Sequence, residues 1–162
     1  MAEQIKRSKL AHFMDTTPKT SNPTYARIGD GVTDLSVSMN PETETQQYIH
    51  QDSATTLLKS YGLTMDTKQT AMKGDPVFDF VDELGFKQAI AGDAETTVVE
   101  SRIYNAASGT GPYPAKRWKV NVSVTSYGGA GTDPLGHEYT INVMGDPVFG
   151  TFDLDTLAFT AS

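Results

Sequence analysis

From Trp118 to Thr125 the chain alternates without a break. Trp118, Val120, Val122 and Val124 fall on one face, and Lys119, Asn121, Ser123 and Thr125 on the other. A period of two with one apolar side marks a strand that buries one face and wets the other. The turn formers Gly128-Gly129-Ala130-Gly131-Thr132-Asp133-Pro134 follow. Beyond them Tyr139, Ile141 and Val143 alternate with Glu138, Thr140 and Asn142. Two such runs joined by a turn read as antiparallel partners, and their shared apolar face needs a second layer to cover it.

The same alternation recurs upstream. Leu35, Val37 and Met39 alternate with Asp34, Ser36 and Ser38; Tyr61, Leu63 and Met65 alternate with Ser60, Gly62, Thr64 and Asp66. Val98 to Tyr104 is β-rich, residues 108–114 read as a loop, and Thr156 to Thr160 suits a last short strand. One segment changes period. Over residues 75–85, Val77, Phe80, Val81 and Leu84 form a helical stripe, while Asp79, Asp82 and Glu83 face outward. Asp75 caps this helix, Pro76 opens its first turn, and Gly85 ends or kinks it. The pentapeptide Gly-Asp-Pro-Val-Phe occurs at 74–78 and again at 145–149. The second copy runs into Gly150-Thr151-Phe152-Asp153, which suits a turn into a strand, and identity stops at the pentapeptide, so no domain is duplicated.

One helix and about seven strands predict a mainly β chain: an antiparallel sandwich or barrel-like subunit with one flanking helix. Its 162 residues make one domain. Residues 1–24 carry turn formers and two prolines but no period, and read as an extended N-terminal arm on a body of 25–162. The polar stretch 41–58 reads as a strand end running into a long loop.

Charge and chemistry exclude several classes. The net charge is −7; Lys6, Arg7, Lys9 and Lys19 against Glu3 and Asp15 give the first 24 residues +2, which leaves −9 on the body. An acidic body disfavours adhesion to nucleic-acid phosphates. There is no cysteine, so no disulfide framework. No run approaches a membrane span, and Met1 to Met14 does not read as a signal peptide. His12, His50 and His137 lack ligand spacing and read as surface or interface residues. The glycine-rich 128–131 stretch lacks the Lys-Ser/Thr ending of a phosphate loop. No catalytic, metal or cofactor constellation forms, so an enzyme is not expected. Tyr113-Pro114-Ala115-Lys116-Arg117-Trp118-Lys119 has the interleaving of a nucleic-acid patch. It equally suits a core tryptophan flanked by edge-strand cations, the reading the acidic body favours.

Three longer strings point further. They are Asn40-Pro41-Glu42-Thr43-Glu44-Thr45-Gln46-Gln47-Tyr48-Ile49-His50-Gln51-Asp52-Ser53, Lys73-Gly74-Asp75-Pro76-Val77-Phe78-Asp79-Phe80, and residues 139–152 from Tyr139 to Phe152. With Lys6-Arg7-Ser8-Lys9-Leu10-Ala11-His12-Phe13, the chain resembles the major tail (tail tube) proteins of long non-contractile-tailed phages of Gram-positive bacteria. The resemblance implies a subunit that forms hexameric rings, with rings stacked into a hollow virion tail tube assembled in the host cytoplasm. DNA passes through the lumen without specific binding. Tape measure, tail terminator and distal tail proteins are the implied partners, and no cofactor or membrane is involved. On this reading Asp34, Glu42, Glu44 and Glu138 are expected to face the lumen, and Tyr48, Ile49 and His50 to anchor a ring-to-ring contact. The competing readings are a monomeric β-sandwich binding module for carbohydrate or cell surface, and the inner tube of a phage-derived bacteriocin.

Overall fold

The computed structural model describes residues 2–105 and 111–162; the loop expected at 108–114 falls partly outside them. Among the described residues ten strands follow in chain order: β1 (Leu10–Asp15), β2 (Tyr25–Arg27), β3 (Val32–Ser38), β4 (Pro41–Gln46), β5 (Thr55–Tyr61), β6 (Thr64–Thr70), β7 (Glu95–Arg102), β8 (Tyr113–Gly128), β9 (Gly136–Asp153) and β10 (Ala158–Ala161). One helix, α1 (Pro76–Phe86), lies between β6 and β7. Eight strands form a curled antiparallel sheet in the order β2-β1-β7-β8-β9-β6-β3, with β10 paired to β9. The mainly β architecture with one helix is therefore the one the alternation implied.

The sheet has two apolar clusters on opposite faces. Met14, Met65, Val98, Trp118, Val120, Val122, Tyr139 and Ile141 pack with Val77 and Val81 of α1. Ala11, Phe13, Tyr25, Val99 and Phe152 pack on the other side with Phe159 of β10. Neighbours in a strand point to opposite faces, so Val98 serves the first cluster and Val99 the second.

This explains the main departure from the sequence reading. Residues 1–24 are not wholly an arm: residues 2–9 are exposed or nearly so, but Leu10–Asp15 is a sheet strand buried from Ala11 to Asp15. A strand buried on both faces has no alternation to read. The 41–58 stretch also differs. It folds into a two-stranded hairpin of β4 and β5, exposed along nearly its whole length, with a tip at 47–54. This hairpin prolongs the β3–β6 pair. Asn40 makes the bend with φ at 45°, and its side-chain amide donates to the Gly62 carbonyl at 3.0 Å.

The two pentapeptides do different work. At the first, the Asp75 carboxylate accepts from the Phe78 amide at 3.1 Å and caps α1, as expected. Gly85 does not end the helix, which continues through Phe86. Gly85 instead lets α1 approach β8, because an added Cβ would stand 3.0 Å from a Val124 methyl. The second pentapeptide is a bulge within β9 rather than a turn. Residues 145–147 stand opposite Trp118 alone, between the pairs Lys119–Met144 and Arg117–Val148. Gly145 takes φ of 76°, and a bulge tolerates Pro147 because no ladder amide is needed there.

Trp118 fills the centre of the main cluster at 2% exposure. Trp118→Ala is expected to lower stability by about 3–5 kcal/mol, and Asp75→Ala by about 1 kcal/mol. Urea denaturation of both variants checks the ranking.

Candidate functional site

The face of β3, β6, β9 and β8 that α1 does not cover is polar across three rows. Asp34, Lys68, Glu138 and Ser126 are register partners in the first. Ser36, Asp66, Thr140 and Ser123 form the second, and Ser38, Thr64, Asn142 and Asn121 the third. Three carboxylates against one lysine give these rows a net charge of −2.

Hydrogen bonds knit the rows together. Thr140 Oγ1 donates to Asp66 at 2.9 Å, and Ser126 Oγ to Glu138 at 3.2 Å. Asn142 Nδ2 donates to Asn121 at 2.9 Å and to Ser123 at 3.1 Å. The opposite face of the same strands carries Leu35, Met65, Ile141, Tyr139 and Val122. Four strands thus make a plate that is dry under α1 and wet on the other side.

Both ends of this plate are open among the described residues. β3 pairs only with β6. β8 pairs with β7 only as far as Asn121, so Val122–Gly128 bonds to β9 on one side and leaves its other edge without a strand. Each neighbouring pair is antiparallel, so across the four strands β3 and β8 run in opposite directions. Laid edge to edge in the same orientation, two plates would meet antiparallel, β3 of one against β8 of the other.

The structure distributes the expected site residues unevenly. Asp34 and Glu138 share one row of the polar face. Glu42 and Glu44 lie on the hairpin, exposed, where Lys59 stands 3.7 Å from Glu44 and the Ser60 hydroxyl 3.4 Å from Glu42. Asp66 and Lys68 complete the face, beyond the residues the sequence reading expects there. Their alternation with Met65 and Thr67 was the signal for them. Tyr48, Ile49 and His50 meet at the hairpin tip, all exposed, with the Tyr48 and His50 rings stacked at 6.2 Å.

Two of the three histidines are buried within the subunit, where a surface or interface placement was expected of them. His12 and His137 are 2% and 1% exposed. His12 Nε2 lies 3.2 Å from Glu100, and Lys116 and Arg102 approach the same carboxylate at 3.5 and 3.8 Å. The basic run at 116–119 is engaged within the fold. Lys116 also lies over the Trp118 ring, Arg117 over Phe159, and Lys119 meets Glu95 at 3.4 Å. Trp118 is the core tryptophan of the second sequence reading.

Burial raises the Glu100 pKa, but the His12 hydrogen bond and the charges of His12, Lys116 and Arg102 outweigh it and hold the carboxyl below its ordinary value. A carboxyl depressed in the folded state stabilises the fold above its unfolded pKa of 4.5, and that contribution fades as pH falls through the folded value. Stability is therefore expected to fall below pH 4.5, and less steeply in Glu100→Gln. Denaturation midpoints between pH 5 and pH 3 check this.

Two solved structures share the fold. One is from the tail of an empty GTA particle with C6 symmetry: TM-score 0.63, 12% identity, covering 98% of this chain and 100% of that one. The other is from the six-fold symmetrised baseplate of an anti-feeding prophage: TM-score 0.51, 9% identity, covering 92% and 97%. At such identities the likeness is one of fold. No protein-family model matches the sequence, and no curated protein matches it.

Proposed function

We propose that this chain is the structural subunit of a tail tube, whose copies close into rings and stack into a hollow conduit for DNA. The observation that carries the reading is the four-stranded plate: polar on one face, covered by α1 on the other, and open at two edges of opposite direction. An unpaired edge invites another strand. Repeating the plate about an axis, with β3 of each copy against β8 of the next, closes a barrel. Its polar face points inward and α1 lies outside. The six-fold symmetry of the two assemblies with this fold supports six copies. Six plates of four strands give a 24-stranded barrel about 45–50 Å between opposite backbones, wide enough for a double helix.

The net −2 of the polar rows suits passage without adhesion, since like charge repels phosphates. Asp34, Asp66 and Glu138 are the lumen residues on this reading. Glu42 and Glu44 belong to the hairpin, whose tip Tyr48, Ile49 and His50 docks on the next ring. Residues 2–9 supply a second contact. The sequence resemblance extends the reading to a long non-contractile phage tail of a Gram-positive host, with tape measure, terminator and distal tail proteins as partners. The likeness to an anti-feeding prophage also suits the inner tube of a phage-derived particle. Both use the same subunit mechanics. A carbohydrate-binding module needs an exposed aromatic platform, and Trp118 is buried. The role is mechanical rather than catalytic.

Negative-stain microscopy and sedimentation of concentrated protein test this, alone and seeded with tail tips. Hollow tubes of uniform width are expected; a strict monomer under both conditions contradicts the reading. Deleting residues 43–56 is expected to leave a folded subunit that forms no tubes. Normal tubes from that deletion remove the hairpin from the account.

A further inference from the structure

His137 sits where nothing in the tube reading calls for a titratable group. It lies on β9 beneath the N-terminal half of α1, 1% exposed. Phe78 of α1 meets its ring edge-on with centroids 5.3 Å apart. Tyr127 of β8 stacks at 6.5 Å and Tyr139 of β9 lies at 6.0 Å. Among the described residues, neither ring nitrogen has a hydrogen-bond partner. Buried polar atoms are paired in the great majority of proteins, so such a ring calls for an explanation.

The groups around it offer little to a positive charge. From α1, Asp82 Oδ1 stands 3.9 Å from Nε2, beyond hydrogen-bond distance, on a side chain 58% exposed to water. From β6 the register partner is Gln69, which carries no charge. Gln69 in turn donates to Asp75 at the cap of α1. From β8 and β9 the ring faces Tyr127 and Tyr139. Burial pushes the His137 pKa below its ordinary value, and Asp82 only partly opposes it.

We propose that His137 is an acid-operated latch on α1: the neutral ring holds the helix on the sheet, and protonation releases it. A charged imidazolium needs water or an acceptor. No acceptor stands within hydrogen-bond distance: Asp82, which α1 itself carries, is 3.9 Å away. Hydrating a charged ring that is 1% exposed requires Phe78, and with it α1, to lift. The sheet ladder contains no bonds to α1, so the strands can outlast the release. Lifting α1 exposes Val77 and Val81 and uncovers Val122 and Tyr139. This inference does not depend on the tube reading.

The sign follows from linkage. A histidine whose pKa is lowered in the docked state binds fewer protons there than in the released state. Between that lowered value and the ordinary 6.5, docking weakens as pH falls, and the loss is complete below both values.

The test is amide exchange of the full chain at pH 7 and pH 5, corrected for intrinsic rates, with the His137 ring titrated by NMR. Exchange across α1 is expected to accelerate several-fold at pH 5 relative to the β8 and β9 amides. In His137→Phe, which keeps an aromatic ring in the same cage, α1 protection is expected to stay constant. Equal α1 protection at both pH values in the natural chain overturns the proposal, as does the same loss in the Phe variant. If that variant does not fold, the natural chain decides alone: titration at or above pH 6.5, or protonation without loss of α1 protection, overturns it.

Discussion

The pairing of β8 with β9 is the interaction on which the rest depends. It runs from Tyr113–Phe152 to Gly128–Gly136, the longest ladder in the sheet. Every other part is placed by it. β7 and β1 extend the sheet from the first half of β8, β6 and β3 from the first half of β9, and β10 from the second half of β9. The ladder holds two irregularities, one at Trp118 and one between Val124 and Ser126. The first leaves the partners of Trp118 free of strict alternation, where the polypeptide turns from one apolar cluster to the other. Bulges bend and twist a sheet locally, and this sheet curls.

The ladder also creates the asymmetry on which the proposed ring rests. Because β8 outruns β7 by seven residues, from Val122 to Gly128, it presents an open edge. Open edges are a liability in a monomer, and short or covered edges are the usual remedy. β2 follows that rule with only three residues. The outer edges of β3 and of the β8 extension are longer and carry no further strand among the described residues, although Arg7 donates to the Leu35 carbonyl of β3 at 3.0 Å, and they bound the face with the polar rows. Two open edges of opposite direction on one plate let identical copies in the same orientation join antiparallel, a heterologous contact that closes where the rotation allows. In the proposed ring the same geometry places α1 outside the wall, with its apolar stripe against the sheet.

What the sequence made legible follows the physics of local pattern. α1 was readable because cap, proline and apolar stripe agree within a dozen residues. β8 and β9 were readable because one face is dry and the other wet. β1 was not, since burial of both its faces erases the period, and its neighbours Val98, Val99 and Tyr25 are distant in sequence. The β4–β5 hairpin was hidden for the opposite reason: exposed on nearly all sides, it has no apolar alternation, and its pairing to itself carries the signal. Of the polar face, Asp34 and Glu138 could be found from alternation opposite Leu35 and Tyr139. Their meeting with Lys68 and Asp66 depends on register, which only the folded sheet supplies. The burial of His12 and His137 likewise rests on partners far along the chain. Glu100 lies 88 positions from His12.

A helical reconstruction of assembled tubes tests the central claim most directly. The account predicts β3 of each subunit hydrogen-bonded antiparallel to Val122–Gly128 of its neighbour, with Asp34, Asp66 and Glu138 on the inner wall and α1 on the outer side. Tubes in which those carboxylates face outward, or in which subunits join through other edges, would contradict it.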